Sequence, residues 1–301
     1  MPDNPIMKTG CTRRSGHWLV LGLGLLLGAV SVRGADLAFT VMAANLSGLE
    51  STYGEPARRI FQGLKPDIAG IQEWNITDAD RRVFVDRNFG TGFYFCVESE
   101  YRDKVPNGVI SRWPITASGE WIDRIVGNRD FMWATIDLPG PRDLHVVSVH
   151  FKSGESWYQK KGRQRQATAL VEYIRQAGWP AGDYLVIAGD LNTVSRNEPA
   201  LKTLSGLVSD RRQPADQAGD KDSNIPRQQC YDYVLPNPAM EALHVPVVIG
   251  GVTFPDGMVF DSRLWSPPPP PIQPNDSAAE GMQHLCVMKS FRLPDGAGAM
   301  P

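Results

Sequence analysis

Short apolar runs bounded by turn residues dominate the chain after residue 36. LAFTVMAANL (37–46) reads as a strand, and EPARRIFQGL (55–64) spaces Ile60 and Leu64 four apart, as a helix with one buried face does. Pro66 closes that helix and DIAGIQEW (67–74) returns as a strand. DADRRVFVDRNF (78–89), with acids in its first turn, predicts a second helix. Strands are predicted at 93–99, 108–115, 130–138 and 143–151. RQRQATALVEYIRQ (163–176) carries Leu170, Val171 and Ile174 on one side of a third helix. DYLVIAGDLN (183–192) is a strand, NEPALKTLSGLV (197–208) a helix, and strands at 231–236, 243–250 and 284–291 complete the pattern. Many strands with few helices between them predict an α+β or layered α/β domain. SPPPPPIQPNDSAAEG (266–281) predicts a stiff extended loop that leads the chain to Gln283 and His284.

The N-terminus breaks this pattern. Lys8, Arg13 and Arg14 precede an apolar stretch from Trp18 to Val30, and the small residues Gly34 and Ala35 follow. That is the anatomy of a secretory signal, too short to span a bilayer comfortably. The expected organisation is an export signal at 1–34 and one domain at 35–301, periplasmic or extracellular, without a transmembrane segment in the mature chain. GLGLLLG at 22–28 lies inside that signal, with no strand before it, and is not a phosphate loop. Loss of 1–34 moves the formal charge from −2 to −5. Contact with a polyanion therefore has to be local or metal-assisted. Cys96, Cys230 and Cys286 remain, an odd number, and a bridge between Cys230 and Cys286 is open. The spacings that mark structural zinc are missing.

Polar residues recur where the apolar runs stop. FTVMAANLS ends in Asn45, PDIAGIQEW in Glu73, HVVSVHFKSG in His150, and YLVIAGDLNT in Asp190 with Asn192 two residues on; Asp232 opens YDYVL and His284 opens HLCVMKSF. One carboxylate at a strand end is usually a turn residue, but six such coincidences suggest a shared site. Residues two apart on a strand point to the same side, so Asp190 and Asn192 can face one ligand. Carboxylates and amides are hard oxygen donors suited to Mg²⁺, with Mn²⁺ or Ca²⁺ also compatible. Such an ion holds a phosphoryl oxygen, and histidines serve the phosphate and the leaving group.

The order N…QE…H…GDLN…DYVL…H, together with NGVISRWPI, resembles the endonuclease/exonuclease/phosphatase superfamily over nearly the whole mature chain. The resemblance implies a deoxyribonuclease I-like fold: a four-layer α/β sandwich of two packed mixed β-sheets flanked by helices. It also implies divalent-metal-dependent hydrolysis of phosphoesters at the top of the sheets. Glu73 would be the main metal ligand, with Asn45 beside it. Asp190 would orient or deprotonate water, and Asn192 would hold the phosphate. Asp232 would orient a catalytic histidine or assist the metal, and His150 and His284 would contact the scissile phosphate.

The chain departs from the family pattern at Gln283, where an aspartate normally precedes the last histidine. Three readings stay open: a one-metal site with a neutral His284, replacement of the missing acid by Asp276 or Asp261, or a catalytically silent binding module. Arg129 is a further substrate-binding candidate, set evenly against a surface ion pair. KKGRQR (160–165) offers cations for a polyanion at a helix start, against the alternative of a solvated face. Trp74, beside Glu73, either stacks on a base or packs. The expected function is a nuclease acting on DNA or RNA, with a phosphatase or sphingomyelinase-type diesterase as the alternative. The expected partners are nucleic acid or another phosphoester substrate, and no stable protein partner.

Overall fold

Two stacked β-sheets follow from strands whose alternate residues are apolar on both faces. The computed structural model describes residues 37–47, 54–99 and 104–294, within one unit spanning Gly34–Pro301. The export-signal reading of 1–34 lies outside the described residues. In chain order the strands are β1 (Ala38–Asn45), β2 (Ile68–Gln72), β3 (Tyr94–Val97), β4 (Gly108–Ser111), β5 (Ile115–Trp121), β6 (Phe131–Ile136) and β7 (Leu144–His150). They continue with β8 (Tyr184–Asp190), β9 (Asp232–Pro236), β10 (His244–Val245), β11 (Val247–Ile249), β12 (Val252–Phe254), β13 (Met258–Val259) and β14 (Val287–Arg292). The helices are α1 (Glu55–Leu64), α2 (Asp78–Asn88), α3 (Trp157–Gln176), α4 (Pro199–Leu204) and α5 (Pro238–Glu241). No described helix is long and apolar enough to cross a membrane.

The first sheet runs β10-β14-β1-β2-β4-β3, with β13 also on β14, and the second runs β5-β6-β7-β8-β9. Each sheet is mixed. β1 and β2 are parallel and so are β7 and β8, while the other pairs in these sheets are antiparallel. Parallel neighbours need a crossover, which α1 and α3 supply.

Val41 and Ala43 of β1, Ile68 of β2, Val146 of β7, Val186 and Ala188 of β8 and Val234 of β9 fill the space between the sheets. The alternate residues Met42, Ala44, Ala69 and Ile71 face Ile60, Phe61 and Leu64 of α1 and Phe84 and Val85 of α2. Val147, Val149, Leu185 and Ile187 face Leu170, Val171 and Ile174 of α3 and Leu201 and Leu204 of α4. The result is the expected four-layer sandwich. Its sheets approach closely near one edge, because a Cβ on Gly70 would lie 2.7 Å from the Ala188 carbonyl oxygen. There Gln72 Nε2 donates across the sheets to Ser148 Oγ (2.8 Å), which donates to the Ile71 carbonyl (3.0 Å).

Several expectations change. The run 108–115 divides at Pro114, β4 staying in the first sheet and β5 opening the second as an edge strand. Most of β5 (ITASGEW) is exposed and polar, so apolar alternation does not reveal it. The run 243–250 breaks at Pro246, which has no N–H for a ladder, and β11 pairs only with β12. His284 precedes its strand: β14 begins at Val287, and His284 makes only an isolated bridge with Asn224. Helix α3 starts six residues earlier than the periodicity indicates, from an extended N-cap at Ser156. Cys96, Cys230 and Cys286 are free thiols, so the bridge does not form. Trp74 is fully buried against Phe84 and Phe95, so it packs.

The earlier start of α3 puts KKGRQR inside the helix, and Arg163 is buried with no exposed surface. Its Nε and Nη2 donate to Glu198 (2.8 and 2.7 Å), and Nη1 donates to the carbonyls of Lys152 (2.8 Å) and Gly154 (2.7 Å). Arg163 thus holds the β7–α3 loop and is not available to a polyanion. Removing one partner of a buried pair leaves an uncompensated charge, so Arg163→Met is expected to lower stability by about 3–5 kcal/mol. Lys160→Ala should change it by less than about 0.5 kcal/mol. Urea denaturation midpoints check both; equal midpoints would contradict the anchoring role.

Candidate active site

Pairing in register brings the polar strand ends to one edge. His150 and Asp190 are partners on the parallel strands β7 and β8, Asp190 and Asp232 are partners on β8 and β9, and Asn45 pairs with Gln72 beside Glu73. Parallel strands end at the same edge, whereas β9 and β14 run the other way and so contribute residues at their beginnings. All seven expected residues, Asn45, Glu73, His150, Asp190, Asn192, Asp232 and His284, therefore converge.

Asp190, with no exposed surface, is the centre. Its carboxylate accepts from the Asn192 backbone N–H (2.7 Å), Asn192 Nδ2 (2.8 Å) and Asn45 Nδ2 (3.0 Å). His150 Nε2 lies 3.3 Å from it and His284 Nε2 3.8 Å. Asn45 Nδ2 also donates to Glu73 Oε1 (3.2 Å), which is 3.7 Å from His150 Nε2. Burial pushes the Asp190 carboxyl up to about 7, against the pull of His284, the Asn192 N–H and the Asn45 amide, and Asp232 adds to the rise. Both donors of Asn192 are engaged, its Nδ2 also reaching the Phe151 carbonyl (3.2 Å), so here it positions Asp190. Glu73 (φ 57°) and Asn192 (φ 51°) are both in the left-handed region, which non-glycine residues adopt at a cost of about 1–3 kcal/mol.

The two histidines are held in opposite states. Burial drives His150 well below the usual imidazole range, helped by the positive charges of Arg129 and His284, so it is neutral. Burial also works against charge on His284, but Asp232 and Asp190 outweigh it and raise this group to about 9. Asp232 Oδ2 lies 3.1 Å from His284 Nδ1 and accepts from Ser223 Oγ (2.8 Å). The Tyr231 ring packs 5.5 Å from that of His284. Ser223 and Tyr231 belong to the site but were not expected there. Ser223 lies in an irregular polar segment whose pattern carries no signal, and Tyr231 reads as an ordinary strand flank.

Gln283 has an exposed side chain, while its backbone N–H donates to Ser47 Oγ (3.2 Å) and its carbonyl accepts from Ile225 (3.0 Å). Its amide does not orient the histidine; Asp232 does. Asp276 is engaged with Arg59 (2.9 and 2.5 Å) and Asp261 with Arg263 (2.8 and 2.6 Å), so neither replaces the missing acid. Arg129 lies within electrostatic reach of Asp190 and Glu73. Burial lowers its guanidinium while those acids oppose the change, and its buried Nη1 has no hydrogen-bond partner.

The donor set fits a hard divalent cation. Asp190, Asp232 and His284 each offer an atom within 4.8 Å of the others. That trio is already tied together by the His284–Asp232 contact, whereas the Glu73 carboxylate is 20% exposed and adjoins an amide. Asn45 turns its Nδ2 toward Glu73 and Asp190 while its Oδ1 accepts from the Ser47 N–H (2.7 Å), so the Glu73 carboxylate is the more open entry for an ion.

The profile of the Endonuclease/Exonuclease/phosphatase family matches residues 42–262. The chain belongs to this family. It is accordingly a hydrolase of the metal-dependent phosphoesterase type. As a member of the Endonuclease/Exonuclease/phosphatase family it shares its fold with sphingomyelinase C from Streptomyces griseocarneus, at 16% identity and TM-score 0.57, over 85% of this chain and 99% of that one. A humanised D. rerio TDP2 is similar at 15% identity and TM-score 0.55, over 84% of this chain and 98% of that one. A beta toxin variant from Staphylococcus aureus, solved with bound magnesium ions, is similar at 14% identity and TM-score 0.54, over 85% and 99%. Compared by sequence with curated proteins, the chain has no match.

In metal-free protein, Asp232→Asn is expected to bring His284 from about 9 toward the ordinary imidazole value near ~6.5, because the neighbouring negative charge is gone. Gln283→Ala should leave the titration in place. Ring-proton NMR follows both, and an unmoved His284 in Asp232→Asn would reject Asp232 as its partner.

Proposed function

We propose that the mature chain is an exported, divalent-metal-dependent phosphodiesterase whose substrate is nucleic acid. The observation that carries this reading is the cross-sheet convergence on Asp190, with Asn45 at 3.0 Å and His150 at 3.3 Å. Glu73 would hold the cation, Mg²⁺ being the ion its hard oxygens suit best, with the Asn45 amide positioning Glu73 and Asp190. When bound, it supplies Lewis-acid stabilisation of charge on a phosphoryl oxygen.

The chain's own groups divide the remaining work. Asp190, raised to about 7, accepts a proton from the attacking water near neutral pH. The protonated His284, steadied by Asp232, places positive charge against the phosphoryl oxygens. Neutral His150, 3.3 Å from Asp190, serves as a hydrogen-bonding group only. Arg129 adds a cation whose buried Nη1 has an unmet donor for an anionic substrate. The motive for a silent binding module was Gln283, and it weakens once Asp232 takes the orienting role.

Purified protein incubated with plasmid DNA, RNA, bis-(p-nitrophenyl) phosphate, p-nitrophenyl phosphate and sphingomyelin, each with Mg²⁺, Mn²⁺, Ca²⁺ or EDTA, tests this reading. The expected result is metal-dependent nucleic-acid cleavage that falls by about 10²-fold or more in Asp190→Ala and Glu73→Gln. Cleavage of sphingomyelin or the monoester alone would reject nucleic acid as substrate, and EDTA-resistant turnover would reject the metal. For export, the full chain expressed in a Gram-negative host is expected in the periplasm, with an intact mass that lacks 1–34. Retention of the full-length mass in the cytoplasm would count against it.

A further inference from the structure

The start of α3, which follows His150 and its loop, carries two aromatic side chains that the mechanism does not use. Trp157 and Tyr158 open helix α3 and are 63% and 79% exposed, the highest values among the large hydrophobic residues described. Their rings meet edge to face, with centroids 5.2 Å apart, and Lys161 Nζ stands 4.8 Å from the Trp157 centroid. Contiguous exposed apolar groups, rather than single ones, mark interaction sites, and these two rings stand together.

Hydrogen bonds of the preceding loop tie their position to the site's elements. The loop between His150 and Trp157 is pinned by Arg163, which donates to the carbonyls of Lys152 and Gly154. On the other side Glu155 accepts from Gln229 Nε2 (2.7 Å). Gln229 belongs to the segment whose Ser223 holds Asp232 and whose Tyr231 packs on His284. The start of α3 is thus tied by the Glu155–Gln229 hydrogen bond to the segment that holds Asp232 and packs on His284.

The surrounding charge selects the kind of ligand. The first turn of this long helix carries no acid, Glu155 just before the N-cap is engaged with Gln229, and the helix N–H groups present the positive end of the dipole. Lys160 and Lys161 follow in the next turn. Aromatic faces beside cations suit a chain that alternates planar rings with phosphates, and those ring faces are accessible only when the strand is unpaired. A lipid surface would call for a broader apolar face than two rings set among Ser156, Gln159 and lysines.

We propose that Trp157 and Tyr158 form a stacking subsite for the unpaired bases of single-stranded nucleic acid next to the scissile phosphate, with Lys161 on the adjoining phosphate. This rests on the nucleic-acid reading above and adds strand preference to it.

The test uses the mature protein with single-stranded oligodeoxythymidine, an abasic strand of equal length, the corresponding duplex and phosphatidylserine vesicles. Trp157→Ala/Tyr158→Ala is expected to raise KM for the single strand by about 10-fold or more, with kcat and duplex cleavage little changed. Trp157→Phe/Tyr158→Phe should restore most of the loss, and hydrolysis of bis-(p-nitrophenyl) phosphate should be unaffected by either pair. The wild type should bind the abasic strand about 10-fold more weakly than the oligothymidine. Equal binding of the two strands, or an unchanged KM in the double alanine variant, overturns the subsite. So does loss of vesicle binding with single-strand cleavage intact, which would make the aromatics a membrane contact. Turnover of bis-(p-nitrophenyl) phosphate without any oligonucleotide binding would overturn both the subsite and the nucleic-acid reading, while leaving phosphodiester hydrolysis in place.

Discussion

Asp190 is a carboxyl group with no exposed surface, and much of the molecule is arranged so that it can be there. Burying a charge without compensation costs several kcal/mol even after relaxation. Here the compensation comes from the positive charge of His284 and from both sheets: Asn192 from the continuation of its own strand, and Asn45 from across the sandwich. The last of these contacts requires the sheets to lie unusually close. Gly70 allows this, because any side chain there would run into the Ala188 carbonyl. The bridge from Gln72 to Ser148 then locks the same edge. Core packing and site geometry are thus one constraint at this end of the sandwich.

That constraint also explains how two histidines in one site come to differ. His150 and His284 are both buried, which by itself disfavours charge on either. His284 contacts Asp232 directly and has Asp190 nearby, so it keeps its proton. His150 lies 3.3 Å from an Asp190 whose oxygens already accept from Asn192 and Asn45, and it faces the positive charges of Arg129 and His284, so it loses its proton. The left-handed backbone at Glu73 and Asn192 belongs to the same pattern. Each aims a side chain at the centre immediately after its strand stops, and the network around Asp190 offsets the strain.

Helix α3 links stability to the rim of the site. Arg163 is turned inward to Glu198 and to the loop carbonyls, so a residue that looks like a surface cation works as an anchor. With the loop held, the first turn of the helix projects Trp157 and Tyr158 outward at a defined place. The same residues that stabilise the helix therefore set what a substrate meets beyond the phosphate site.

Much of this was legible in the chain. Continuous apolar runs ending in Asn45, Glu73, His150 and Asp190 determined that those residues stand at strand ends, because a short apolar run bounded by polar and turn residues is the pattern of a strand buried on both faces. The buried faces of α1 and α3 were legible from their spacing, and the order of motifs was enough to indicate the family. Elements held by few apolar contacts were not legible. The edge strand β5 is polar, α3 begins with exposed residues, and His284 sits in a loop outside its apolar run. The resemblance already named Asp232 as an acid that orients a catalytic histidine, while Asp276 and Asp261 stayed open as replacements for the acid missing at Gln283. Only the tertiary structure decided among them, because Asp276 and Asp261 are held by Arg59 and Arg263. The partner is Asp232, whose strand lies in the opposite sheet and reaches the histidine because the two sheets are packed face to face.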